Sequence, residues 1–140
     1  MFIGEYAHTI DSKGRLNFPA KFRQEVKGDV VITRGLDRCL FVYPMAEWET
    51  LATRLSQLPL SHKKSRAFAR LMLAGAWDAR LDGQGRIMLP EYLRTYASLG
   101  KHVIVTGLYN RIEIWDEDAW NNYKTETEAA SDDIAEAMVE

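Results

Sequence analysis

Two stretches of this 140-residue chain copy one another, and that repetition constrains the fold more than any local pattern. A shift of 71 residues lays Gly4-Glu5-Tyr6 on Gly75-Ala76-Trp77, and Asp11-Ser12-Lys13-Gly14-Arg15-Leu16 on Asp82-Gly83-Gln84-Gly85-Arg86-Ile87. Pro19 then meets Pro90 and Arg23 meets Arg94, so six of the twenty positions in 4–23 and 75–94 are identical. Apolar character persists at Tyr6/Trp77, Ile10/Leu81, Leu16/Ile87, Phe18/Leu89 and Phe22/Leu93. After a one-residue slip the match runs on through Leu36/Leu108, Leu40/Ile112, Val42/Ile114, Tyr43/Trp115 and Trp48/Trp120. Glycines, prolines and apolar alternation kept in step over this span point to a tandem duplication.

Each copy reads as the same series of elements. Residues 6–10 alternate as a strand and end in a turn from Asp11 to Gly14, where glycine supplies the positive φ. A short strand carries Leu16 and Phe18. Pro19 then opens a helix over about 20–26, where its missing N–H costs nothing. Val30-Val31-Ile32-Thr33 is a β-branched strand, Gly35 to Arg38 a hairpin turn, and Leu40-Phe41-Val42-Tyr43 the returning strand. Pro44 opens a further helix whose apolar stripe is Trp48, Leu51, Leu55 and Leu58. The second copy gives strands near 77–81, 86–89, 103–106 and 111–115, and helices near 91–97 and 116–127. Between the copies a helix capped by Ser61 is expected to reach about Leu73, and the last residues are expected to form a frayed helix or a disordered tail.

Four short strands per copy are too few to cover a sheet, and pairing the two halves into one closed barrel would remove the exposed edges. The expected fold is therefore α+β, a pseudo-two-fold barrel built from two tandem repeats with peripheral helices. Its expected parts are a first repeat at 1–60, a linking helix at 61–74, a second repeat at 75–125 and an acidic tail at 126–140, with one compact barrel overall.

Charge separates the parts further. The whole chain sums to −2, but residues 1–74 hold 12 basic against 7 acidic side chains, and residues 75–140 hold 6 against 13. The 116–140 segment alone carries 9 acids and one base, Lys124, which leaves a body of +6. A basic body with an acidic end suits a polyanionic partner in a way that the net charge conceals. The 46% apolar and 11% aromatic fractions are those of a globular protein. No apolar run approaches the ~20 residues of a membrane span. Met1-Phe2-Ile3 passes at once to Gly4-Glu5 with no signal-peptide pattern, and the single Cys39 fits a reducing compartment, so a cytoplasmic protein is expected.

The residues quoted for the repeat also resemble a known family. Phe2-Ile3-Gly4-Glu5-Tyr6, the turn Asp11 to Leu16 with Pro19, the second turn Asp82 to Pro90, Phe68-Ala69-Arg70 and Gly107-Leu108 are similar to the MraZ family, over roughly residues 1–125. The resemblance implies a swapped-hairpin barrel of the AbrB type, with both halves in one chain. It implies a transcriptional regulator, associated with the nucleoid, that binds G-rich direct repeats in double-stranded DNA. Those repeats would lie in the promoter of its own cell-division and cell-wall gene cluster. It also implies a ring-shaped homo-oligomer, a form that head-to-tail contacts reach when their rotation closes. The residues carried over are Asp11, Lys13, Gly14 and Arg15, and behind them their counterparts Asp82, Gly85 and Arg86.

Chemistry gives those residues a rationale. Gly14 makes a tight turn that fixes Arg15, and Asp11 is placed to cap the turn or to pair with the guanidinium. Arginine so held can bond guanine O6 and N7 bidentately, while Lys13 suits a phosphate. The alternative is that each turn is structural, its Asp–Arg pair closing one end of the barrel. The first turn carries Lys13, with His8 and Arg23 close in sequence, whereas the second carries Gln84; the first is therefore expected to read DNA and the second to be mainly structural, with contact to a neighbouring subunit as its alternative. Lys63, Arg66 and Arg70 share a helix face with Lys64 beside it, which reads as a solvated face, with a phosphate or subunit contact as the alternative. Arg34 and Arg38 flank a hairpin turn, as part of a basic surface or as ordinary charged tip residues, and the four tryptophans read as core.

Catalysis finds no support. His8, His62 and His102 are scattered and Cys39 is alone, so no metal site is expected. Gly83-Gln84-Gly85 lacks the rest of a dinucleotide fingerprint, and no phosphate-binding loop or nucleophile elbow occurs. Asp11 and Asp82 occupy equivalent positions, as a carboxylate dyad would, but an arginine four residues after each opposes a shared proton. Neither an enzyme nor a cofactor is expected. The rival reading is a non-catalytic protein-interaction barrel, antitoxin-like or a scaffold.

Overall fold

The two β-branched runs and their returning strands form antiparallel hairpins, and everything else is arranged on them. In the computed structural model, which describes residues 1–139, the first hairpin is β3 (Asp29–Arg34) with β4 (Leu40–Pro44). The second is β7 (His102–Tyr109) with β8 (Ile112–Asp116). Strands β4 and β8 pair in the middle, joining the hairpins into one sheet. The outer strands are exchanged: β1 (Phe2–Thr9), from the first repeat, adds to β7 of the second. In turn β5 (Trp77–Arg80), from the second repeat, adds to β3 of the first. The resulting order is β1-β7-β8-β4-β3-β5, antiparallel throughout.

The remaining strands, β2 (Arg15–Asn17) and β6 (Arg86–Met88), pair with each other as a separate ribbon. The chain is thus α+β with antiparallel sheets, but its strands do not close into the expected barrel. Strands β1 and β5 remain edges, and the ribbon joins the sheet through a single bridge, Ile10 to Leu16. Proline explains the short ribbon. Pro19 and Pro90 follow it closely, have no N–H for a ladder, and start the one-turn α1 (Ala20–Arg23) and the α4 helix (Glu91–Tyr96).

The sheet is covered on both faces, which is why its central strands read as nearly continuous apolar runs and not as alternation. One face packs Val30, Ile32, Leu40, Val42, Val103, Val105, Ile112 and Ile114 against Leu16, Phe18, Phe22, Ile87, Leu89 and Leu93 of the ribbon and of α1 and α4. The other packs Cys39, Phe41, Tyr43 and Trp115 against Leu55, Met72, Trp48 and Trp120. Those partners come from α2 (Met45–Ser56), the linking segment and α5 (Glu117–Ala129).

Several expectations shift at element ends. β1 begins at Phe2, not near 6, with Gly4 accommodated at φ +97°. The expected 20–26 helix contracts to one turn. The linking helix is α3 (Lys63–Ala69) running into a π-helical turn at Arg70–Ala74, and Ser61 does not cap it: the flanking residue is His62, which makes no side-chain cap. The acidic end is helical as far as it is described, with α5 followed by α6 (Ser131–Ala137); Glu140 lies outside the described residues. Trp115 is core and Trp48 and Trp120 pack beside it, but Trp77 is 39% exposed on the β5 edge, where the sheet offers no neighbour. Among the described residues no helix is long and apolar enough to cross a membrane, and no cluster of His, Cys, Asp or Glu is placed to hold a metal.

Candidate nucleic-acid interface

The β2–β6 ribbon is three residue pairs long, and its alternation sorts the side chains. Leu16 and Ile87 face each other and are buried, so Arg15, Asn17, Arg86 and Met88 fall on the outer face. Arg15 pairs across with Met88 and Asn17 with Arg86, which places the two arginines diagonally about the pseudo-two-fold axis. The turns 11–14 and 82–85 lie at opposite ends of the ribbon. Gly14 accepts a bond from the Leu89 amide at 2.8 Å, and Gly85 accepts one from the Phe18 amide at 3.0 Å.

Within each turn the aspartate does both things its position allows. Asp11 Oδ1 accepts from the Lys13 and Arg15 amides, each at 2.9 Å, while Oδ2 accepts from Arg15 Nε at 2.7 Å. Asp82 repeats the pattern, taking the Gln84 and Arg86 amides at 2.8 and 3.0 Å and Arg86 Nε at 2.9 Å. The Arg15 amide chiefly holds the Asp11 carboxyl down to about 2, helped by the Arg15 guanidinium and the Lys13 amide. Asp82 is lowered in the same way, first by the Arg86 amide. Both carboxylates are therefore ionised and committed. Each locks the Nε side of its arginine, and among the described residues the two terminal nitrogens have no hydrogen-bond partner.

The repeats brace each other's turns. Arg94, from α4 of the second repeat, donates from Nε to Leu89 O at 2.9 Å and lies against Gly14 of the first. Arg23, from α1 of the first repeat, donates to Phe18 O at 3.0 Å and lies against Gly85 of the second. Nearness in sequence is thus misleading: Arg23 does not serve the first turn. His8 also neighbours Arg23, and burial, with that positive charge, lowers its pKa.

Beside the first turn is an open cleft of about 650 Å³ lined by Thr9, Ile10, Asp11, Ser12, Arg94, Leu99, Gly100 and Lys101. Several other basic residues have structural partners. Arg34 stacks over Tyr92 and Tyr96, Arg38 over Tyr96, and Arg66 donates to Leu60 O. A second polar group lies on the far side of the sheet, where Glu113, 8% exposed, accepts from Arg111 and from the Trp115 indole. Cys39 is buried there, and burial raises its thiol well above the ordinary range.

Of the residues singled out from sequence, Asp11, Lys13, Gly14 and Arg15 fall together at one end of the ribbon, and Asp82, Gly85 and Arg86 at the other. Asn17 and Met88 were missed as parts of the outer face. The apolar–polar alternation around Leu16 and Ile87 is the signal that places them there.

A family model described as "MraZ protein, putative antitoxin-like" matches the chain twice, over residues 1–71 and 72–140. A "Transcriptional regulator MraZ" of Ligilactobacillus salivarius is 51% identical over all 140 residues, covering 98% of that relative. Proteins of the same name from Natranaerobius thermophilus and Carboxydothermus hydrogenoformans are 50% and 47% identical over the whole chain, again covering 98% of each relative.

Proposed function

The chain belongs to the MraZ family, and from that premise we propose that it is a transcriptional regulator that binds double-stranded DNA through the outer face of its β2–β6 ribbon. The family is a non-enzymatic one. The reading is carried by Arg15. Its Nε is tied to Asp11 at 2.7 Å, it sits on the outer face of a two-stranded ribbon, and its terminal nitrogens are free to bond guanine O6 and N7. A two-stranded ribbon is one of the elements that a major groove about 12 Å wide admits. Lys13, exposed in the turn and without an ion pair among the described residues, contributes a phosphate contact. The second turn keeps the Asp82–Arg86 pair but offers Gln84 in place of lysine, so it is mainly structural, with Arg86 the secondary member of the ribbon face.

The operator in this proposal is a set of G-rich direct repeats in the promoter of the protein's own cell-division and cell-wall cluster. The working form is a ring-shaped homo-oligomer in the cytoplasm, on the nucleoid. Retardation of a duplex carrying such repeats, against a scrambled duplex, is the test. Wild type retards the repeats selectively, and Arg15→Ala loses that selectivity while keeping its size and fold. Equal treatment of both duplexes by the wild type at low salt sinks the proposal. It would then favour the protein-binding alternative, to which the words "antitoxin-like" in the family description also lean.

A further inference from the structure

The cleft beside the first turn is built almost equally from both repeats. Thr9, Ile10, Asp11 and Ser12 come from the first, and Arg94, Leu99, Gly100 and Lys101 from the second. Its basic side chains keep cationic donors to spare. Arg94 spends only Nε, on Leu89 O, and among the described residues neither Arg94 nor Lys101 has a carboxylate within ion-pair distance. The carboxylate in the lining, Asp11, is already neutralised by Arg15. The neighbouring Asp116 is taken up by the Gly100 and Ala119 amides, while Glu117 and Asp118 border Lys101 from the start of α5. Main-chain bonds fix the walls: Ile10 donates to Lys101 O at 2.8 Å and Leu99 to Arg94 O at 2.9 Å.

The pseudo-symmetric place at the second turn is different. The register pairs Thr9 with His102 on one side and Arg80 with Asp29 on the other, so the residue equivalent to Lys101 is Gly28. Arg80 and Asp29 there close on each other in an ion pair at 2.7 Å. One turn therefore adjoins an open basic cleft, and the other adjoins a satisfied ion pair.

We propose that this cleft is a phosphate seat for the DNA backbone, with Lys101 and the free guanidinium nitrogens of Arg94 as its cationic groups and the Thr9 and Ser12 hydroxyls as neutral donors. The proposal rests on the DNA-binding reading and extends it. The second repeat supplies a backbone anchor next to the first repeat's base-reading turn, so the interface is composite. The cleft is far larger than one phosphate, which suits a phosphate with its adjoining sugars.

The test is the salt dependence of duplex binding, followed by fluorescence anisotropy from about 50 to about 200 mM salt, where each neutralised phosphate contributes a log–log slope of about −0.9. Lys101→Gln, an exposed substitution, should lower affinity and make the slope less steep by about 0.9, while preserving the ratio of G-rich to scrambled binding. Lys63→Gln makes the same charge change on α3 and should leave the slope as it is. An unchanged slope in Lys101→Gln, an equal change in Lys63→Gln, or a lost sequence preference with a normal slope each overturns the proposal. Wild type indifferent to the G-rich repeats would instead sink the DNA-reading premise. A free anion is distinguished by titrating the wild type with inorganic phosphate at constant ionic strength. Saturable shifts of the Gly100 and Lys101 amides without duplex would overturn the backbone assignment, and their absence supports it.

Discussion

Replacing Gly14 or Gly85 with alanine separates the stiffness of a turn from its part in binding. Both glycines have positive φ, +81° and +76°, a region that costs an L-residue about 1–2 kcal/mol. At Gly14 the new Cβ would stand 3.0 Å from the Leu89 carbonyl oxygen and 3.3 Å from Arg94 Cζ. The first neighbour is main chain and cannot swing away. Relief must come from stretching the 2.8 Å bond that Leu89 donates to Gly14, a further cost of about 1 kcal/mol. At Gly85 the new Cβ would overlap the Arg23 side chain, first at Cδ and also at Nη1, 2.5 Å away. That side chain can turn aside, at the loss of its bond to Phe18 O, again about 1 kcal/mol. The lower entropy of the unfolded alanine chain returns about 0.5 kcal/mol in each case. Both variants should therefore lose about 2 kcal/mol, which a domain of ordinary stability survives.

Binding should not follow stability. In Gly14→Ala the relief moves the ribbon end that carries Arg15, and a good bidentate guanine contact is worth about 1–3 kcal/mol. Selective retardation should fall by about 10- to 100-fold in Gly14→Ala and stay within about 2-fold in Gly85→Ala. Urea unfolding reads the first quantity, and retardation of G-rich against scrambled duplex reads the second. Two variants of unaltered stability would refute the strain argument. Equal losses of binding would refute the division of labour between the turns.

Three further outcomes follow from the same structure. Asp11 is held near 2 against an ordinary 3.8, so its ordering of the turn is complete above about pH 4 and is lost as pH falls through about 2; a carboxyl-carbon NMR titration should find its midpoint there, and a midpoint at the ordinary value would contradict the Arg15 bonds. Glu113→Ala leaves the buried Trp115 indole without its acceptor and should cost about 1–3 kcal/mol in urea unfolding with no effect on DNA selectivity, and Glu113→Gln should recover part of the loss. Ending the chain at Ala130, which removes α6 and leaves α5 whole, should raise affinity for scrambled duplex if the acidic end repels DNA. Unaltered non-specific binding in retardation assays would remove that role.

Much of this arrangement was legible in the sequence because the repeat is written in residues with narrow backbone requirements. Gly14 and Gly85, Pro19 and Pro90, and the Leu16/Ile87 pair fixed the turns, the strand ends and the buried side of the ribbon. The matching Asp11–Arg15 and Asp82–Arg86 spacings announced the two pairs that the structure contains. What failed was whatever depends on which repeat a strand joins. Arg23 and Arg94 stood out as an identical pair, but the offset says nothing about their crossing to the opposite turn. Lys101 carried no signal, because its meaning comes from Ile10 and Arg94 being beside it in space. Closure was misjudged for a related reason. Edge removal argues for a barrel, but Pro19 and Pro90 stop the ribbon after three pairs, and helices cover the outer face of the sheet instead.

The strand exchange explains how the two turns can differ while remaining alike inside. Each turn is braced by an arginine from the other repeat, and each outer strand is held by the other repeat's hairpin. The shared scaffold therefore constrains Asp11, Gly14, Arg15 and Arg94 together with Asp82, Gly85, Arg86 and Arg23. Positions outside that set are free to change one at a time: Lys13 against Gln84, Lys101 against Gly28, His102 against Asp29. In a barrel made from two identical chains every such change would appear twice, and a basic cleft at one turn would mean a basic cleft at both. Joining the repeats in one chain removes that restriction. One end can then gather cations for a polyanion, while the other closes on its own ion pair and continues to hold the ribbon in place.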